Sequence, residues 1–161
     1  MSRAFTKEDD VGEDLPERPV PAGPNYLTPR GLALLKQAGK ELVARKKKAV
    51  EGEDLRPIDR DLRYLEARIN SAIVVPPGSG NEVRFGAHVT IEDETGSQKS
   101  FQIVGEDEAR STPDTVPWSA PLAYEMFGAK SGDKISWQGP EGVVRYKIVG
   151  VSYRAPSQPP H

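Results

Sequence analysis

One spacing limits this chain more than any other feature. Leu55, Ile58, Leu62, Leu65, Ile69 and Ala72 step 3-4-3-4-3 along the sequence, and so do Leu32, Leu35, Gly39, Leu42, Lys46 and Ala49. Apolar residues at such intervals form one stripe along an α-helix. Two stripes joined by a short turn predict an antiparallel coiled-coil hairpin. Gly39 and Lys46 weaken the seam of the first arm, and the weakness grows toward the turn. Two helices of a small bundle would show the same stripes, but the sequence has no third long amphipathic segment to complete one. Arms of roughly 20 residues reach about 30 Å at 1.5 Å per residue.

The start of the first arm is marked by Thr28 as an N-cap and Pro29 at the first helical position, where a missing N–H costs nothing. Leu27 and Leu32 are placed for a hydrophobic staple across that cap. Pro57 is tolerated because it falls in the first turn of the second arm.

The flanking segments read differently. Residues 1–24 are acidic and proline-rich, with few large apolar side chains to offset the entropy of ordering, so they are expected to be a disordered arm. The hairpin is expected over 25–75, a linker rich in Pro and Gly over 76–81, a second domain over 82–153 and a flexible tail over 154–161. In the second domain, "VRFGAHVTIED" and "QKSFQIVG" are strand-like runs joined by "ETGS". "DKISWQ" and "GVVRYKIVGVSY" form a second pair around "GPEG", with "APLAYEMFGAK" as a short helix between the pairs. The fold class expected is therefore α+β: a helical hairpin followed by an antiparallel-sheet domain with one short helix.

Charge is unevenly spread. Residues 1–27 carry three basic and six acidic side chains, 28–75 carry eleven and seven, and 82–153 carry seven and eleven. A basic middle between acidic flanks is either a solvated helix surface or a face turned toward phosphates or an acidic partner. The chain has no cysteine, which excludes disulfides and cysteine metal sites and fits a reducing compartment. No apolar run is long enough to cross a membrane. The first residues turn acidic where a signal peptide would turn apolar, so a cytoplasmic location is expected.

Several blocks, taken in order, carry a family resemblance. "FGAHVTIEDETG", "FQIVGEDEA", "SAPLAYEMFGAKSGDKI" and "GVVRYKIVGV" resemble the C-terminal domain of the bacterial Gre transcription factors. "NYLTPRGLALL" and "LRPIDRDLRYLEARINSAIVV" resemble the two arms of their coiled coil. The resemblance implies an FKBP-like C-terminal domain and a hairpin that enters the secondary channel of RNA polymerase. It also implies that the polymerase is the partner, that nascent RNA or DNA is met only through the elongation complex, and that the factor helps the polymerase cleave its own backtracked transcript. On this reading the chain is a monomer, not an enzyme by itself, and has no tightly bound cofactor.

The chain also departs from the family. Cleavage-competent members carry Asp-x-x-Glu-Asn at the hairpin tip, whereas Val50-Glu51-Gly52-Glu53-Asp54 stands here and the arms are shorter by more than a turn each. In this way the chain also resembles the regulators of nucleoside diphosphate kinase, which share the C-terminal domain but keep only a stub of the hairpin.

Glu51, Glu53 and Asp54 are the only tip carboxylates that could hold a Mg²⁺ shared with the polymerase. They are equally explained as a cap, with Asp54 at the N-cap of the second arm, and as partners of the helix dipoles. Lys36, Lys40, Lys47, Arg56, Arg60, Arg63 and Arg68 are the candidates for facing nucleic acid or the channel wall. Pro121, Leu122, Met126 and Phe127 form a candidate docking patch in the region where the resemblance places polymerase contact, although part of this short helix must face the sheet. His88 and His161 are isolated and are given no metal role. Two rival functions are a nucleotide-kinase regulator and a peptidyl-prolyl isomerase. The latter rests on fold alone, and the sequence reveals no aromatic-lined pocket for it.

Overall fold

The computed structural model describes residues 15–153; the N-terminal 1–14 and the tail from 154 lie outside the described residues. Two compact units form. One contains the described residues up to Pro24 together with 33–72, and the other contains 25–32 together with the described residues from 73 onward.

The first unit is a helical hairpin. Helix α1 spans Pro29–Lys47, its first turn belonging to the other unit, and α2 spans Arg56–Asn70. The apolar stripes do form the seam: Leu35, Ile58 and Leu65 are buried. Leu42, Leu62 and Ile69 are half-buried, because two helices alone cannot enclose a stripe on all sides. Tyr64 and Arg68 are buried as well, outside the stripe that the spacing defines.

The arm expected to be disordered needs correction over 15–24. It has no regular secondary structure through Pro21 but it is attached to α2. Glu17 accepts two hydrogen bonds from Arg63, at 2.7 and 2.8 Å, and Arg18 lies against Tyr64 and Asp61. Two charged side chains supply the contact that the missing apolar ones do not.

The second unit is built on a five-stranded sheet of strands β3 (His88–Asp93), β4 (Gln98–Val104), β5 (Thr115–Pro117), β6 (Lys134–Gly139) and β7 (Gly142–Ser152). Their order across the sheet is β5-β4-β3-β7-β6. All neighbours are antiparallel except β4 and β5. The β3–β7 register shifts between Thr90 and Ile91, a bulge that leaves Val149 as the extra residue. Period-two alternation puts Val89 and Ile91 of β3 and Phe101 and Ile103 of β4 on the core face. Ile148, Val83, Ala123 and Met126 complete that core.

Two short helices lie in this unit where one was expected. The foreseen one is α4 (Pro121–Met126), ended by Gly128 at φ +87°. The other, α3 (Glu106–Ser111), follows Gly105, and its first turn holds Glu106, Asp107 and Glu108, which suit the positive end of a helix. Six residues are too few to display a helical period. Gly105 is required there by space, since an added Cβ would collide with the carbonyl oxygen of Tyr26.

Residues 25–32, assigned from sequence to the hairpin, pack with the sheet unit. Strand β1 (Asn25–Leu27) pairs with β2 (Ala72–Val74) in a small two-stranded sheet. Tyr26 meets Trp118 edge-on at 5.2 Å. Thr28 does cap α1, accepting from the Gly31 N–H at 2.9 Å. The same hydroxyl donates to the buried carboxylate of Glu108 at 2.6 Å.

Candidate functional site

The turn joining α1 to α2 is closed by its own carboxylates. The Glu53 N–H donates to the Val50 carbonyl at 3.1 Å, and Gly52 sits at φ +86°, the position in such a turn that favours glycine. Glu53 Oε1 accepts from the Val50 N–H at 3.1 Å. Asp54 Oδ1 accepts from the Arg56 backbone N–H at 3.0 Å and from its Nε at 2.8 Å, while Oδ2 accepts from the guanidinium at 2.9 Å. Asp54 thus caps α2 from one residue farther out than the sequence suggests, because Leu55 already has helical angles and occupies the N-cap. The Arg56 side chain and then its backbone N–H hold the Asp54 carboxyl down to about 2.

These bonds decide what the tip offers a metal ion. Mg²⁺ requires carboxylate oxygens that converge with open lone pairs. Both Asp54 oxygens are engaged by Arg56, one Glu53 oxygen is engaged by the turn, and Glu51 takes no part in these bonds. Among the described residues no three metal-ligating side chains converge. As arranged, Glu53 and Asp54 close the turn, and Glu51 stands outside its hydrogen bonds.

Behind the tip, Lys46 Nζ reaches Asp59 at 2.7 Å and ties the two arms together. Arg45, Lys46 and Lys47 occupy the last turn of α1, where the negative end of the helix favours them. Of the seven cations singled out by sequence, Lys36, Lys40, Lys47, Arg56 and Arg63 are exposed and Arg60 is half-buried. Arg68 is corrected: it is 1% exposed and does not face nucleic acid or a channel wall. Arg56, Arg60 and Arg63 pair with Asp54, Asp61 and Glu17. Between the arms runs a groove of about 590 Å³ lined by Gly39, Val43, Leu62, Leu65 and Ile69, with Lys40 and Lys47 also on its walls. At Gly39 the groove is open, since a Cβ there would meet nothing within 4 Å.

The patch around α4 divides in two. Met126 is fully buried in the core, so it is corrected from the candidate list. Pro121 is exposed, while Leu122 and Phe127 are half-buried against the core. Tyr124 stands 69% exposed on the same helix, a large aromatic that the sequence reading passed over because it interrupts the Leu122–Met126 stripe. His88 is half-buried on β3, and burial, with a smaller push from Arg30, moves its imidazole below the ordinary range. Also missed were Glu17, Arg18 and Tyr64, since a contact made by two charged residues of an irregular arm leaves no periodic signal.

Residues 78–153 match a family model described as transcription elongation factor, GreA/GreB, C-terminal. The chain is 39% identical over 101 residues to the transcription elongation factor GreA of Verminephrobacter eiseniae, covering 60% of this chain and 64% of that one. It is 32% identical over 139 residues to the transcription elongation factor GreA of Desulfovibrio desulfuricans, covering 76% of this chain and 86% of that one. Among solved structures, a transcription elongation factor GreA/GreB from Nitrosomonas europaea aligns at 24% identity with a TM-score of 0.42, covering 80% of this chain and 99% of that one.

Proposed function

The chain belongs to the GreA/GreB family of transcription elongation factors, and from that premise we propose that it binds bacterial RNA polymerase in the cytoplasm and regulates elongation by placing its helical hairpin in the secondary channel. It is a factor and not an enzyme: any cleavage of transcript is catalysed by the polymerase. The observation that carries this reading is a relationship extending over 86% of the Desulfovibrio desulfuricans protein and 76% of this chain. The kinase-regulator and isomerase readings gain nothing from the relatives, which are elongation factors.

Within that function the tip supports occupation of the channel more than delivery of a metal ion. Asp54 and Glu53 close a turn, and ångström-level placement of free carboxylates is what metal-assisted cleavage would need. The docking surface that goes with this reading is the exposed side of α4, Pro121 and Tyr124 with the accessible parts of Leu122 and Phe127. Contact with nucleic acid falls to the cations of the arms, chiefly the exposed Arg56 and Arg63 and the half-buried Arg60.

The test is a stalled, backtracked elongation complex supplied with Mg²⁺. The wild-type chain is expected to give no stimulation of transcript cleavage and to suppress the stimulation given by a cleavage-active Gre factor. Strong cleavage by the wild type, abolished by E51A, would reverse the tip assignment while leaving polymerase binding intact, because Glu51 has no part in the turn bonds.

A further inference from the structure

Arg56, Arg60 and Arg63 recur at i, i+4 and i+7 in α2. At 100° per residue their directions fall within about 60° of one another, so they form one stripe about 10 Å long. Each guanidinium is answered by a carboxylate. For Arg56 and Arg60 these are Asp54 at 2.8 Å and Asp61 at 3.3 Å, sequence neighbours that travel with the helix. For Arg63 it is Glu17, 46 positions away on the N-terminal arm, gripping with both oxygens at 2.7 and 2.8 Å. The next residue, Arg18, sets its guanidinium 3.9 Å from the centre of the Tyr64 ring and 3.5 Å from Asp61. On the helix surface the direction of Arg60 lies between those of Arg63 and Asp61. The Glu17–Arg18 pair therefore spans the stripe from one side to the other. Pro16, Pro19, Pro21 and Pro24 restrict the arm's backbone and lower the entropy lost on docking.

We propose that residues 15–24 are a strap that occupies the arginine stripe of α2, with Glu17 standing in for a backbone phosphate of single-stranded nucleic acid, and that the strap must leave before such a strand can bind there. An arginine fork accepts carboxylate and phosphate in the same two-bond geometry, so one ligand excludes the other at Arg63. The contact is fully solvated, and exposed ion pairs of this kind are weak. Weakness suits a competitor, because a tightly held strap would never release. The assignment rests on the proposed function, since the elongation complex is what brings nucleic acid to the hairpin.

The test uses the full-length chain and a fluorescein-labelled single-stranded 15-nucleotide RNA, read by anisotropy at one fixed salt concentration. E17Q/R18Q removes one negative and one positive charge, so net charge is unchanged and general attraction to RNA is not altered. This variant is expected to bind the RNA about two- to fivefold more tightly than wild type, the range set by an exposed ion pair. Adding R63Q to it should cancel the gain. Unchanged or weaker binding by E17Q/R18Q, or a gain that survives R63Q, would overturn the strap. A gain in affinity for core polymerase with none for RNA would overturn the phosphate assignment in favour of an acidic protein surface. Absence of RNA binding in every variant also overturns the proposal, while the cleavage-suppression assay judges the elongation function separately.

Discussion

Asp54 accepts three hydrogen bonds from Arg56, and its titration reports whether the turn is closed in solution. Its folded pKa of about 2 lies below the ordinary 3.8. The ionised side chain therefore supports the turn at every pH above that ordinary value, and the support is lost as pH falls from about 3.8 through about 2. Carboxyl-detected NMR should show a midpoint near 2 for Asp54, and Arg56→Gln should return it toward 3.8. A wild-type midpoint near 3.8 would mean that the cap is open and that the carboxylate is available to other ligands. The identity of the tip residues was legible in the sequence, where a cap and a metal-ligand role both stayed open for them. What the sequence did not contain was the reach of the Arg56 side chain back onto Asp54, because the rotamer of an exposed arginine is set by its neighbours in space.

The 3-4 spacing placed Leu35, Ile58 and Leu65 in the seam, and all three are buried. It placed Arg68 on the outside and said nothing of Tyr64, yet both are buried; Tyr64 is covered by Arg18, from an arm with no apolar period of its own. In the sheet unit, strands of six residues or more announced themselves by alternation, while α3 and the three-residue β1, β2 and β5 were too short to do so. Two substitutions check the seam by urea unfolding. Leu65→Ala should cost about 2–4 kcal/mol, and Leu62→Ala should cost less because that side chain is only half-buried whereas Leu65 is buried. An equal cost at Leu62 would show that the groove is filled in solution. Gly39→Ala should stabilise the hairpin by about 0.5–1 kcal/mol, since the new methyl meets nothing and the helix gains a better former. Destabilisation there would mean that another surface packs against the glycine.

For the whole molecule, the family was legible because several ordered blocks agree, from the Thr28 cap to the β7 strand, and a GreA relative matches 76% of this chain. The division into units was less legible: residues 25–32 read as part of the hairpin, but the Thr28–Glu108 bond and the Tyr26–Trp118 contact are long-range and leave no local mark. The docking patch was half legible for a similar reason, since a stripe four residues apart cannot say which side of a six-residue helix is core. Polymerase association separates core from contact: Tyr124→Ala should weaken it by about tenfold or more without lowering the unfolding midpoint, as expected for an exposed aromatic anchor. An unchanged affinity would move the docking surface off α4. Polymerase binding itself is read by displacement of a labelled, cleavage-active Gre factor from core RNA polymerase by the unlabelled full-length chain. Complete, saturable displacement with one chain bound per polymerase is expected, whereas a labelled factor that stays bound at about a hundredfold excess, equivalent to more than 2.7 kcal/mol of missing affinity, would show that the chain does not occupy the Gre site.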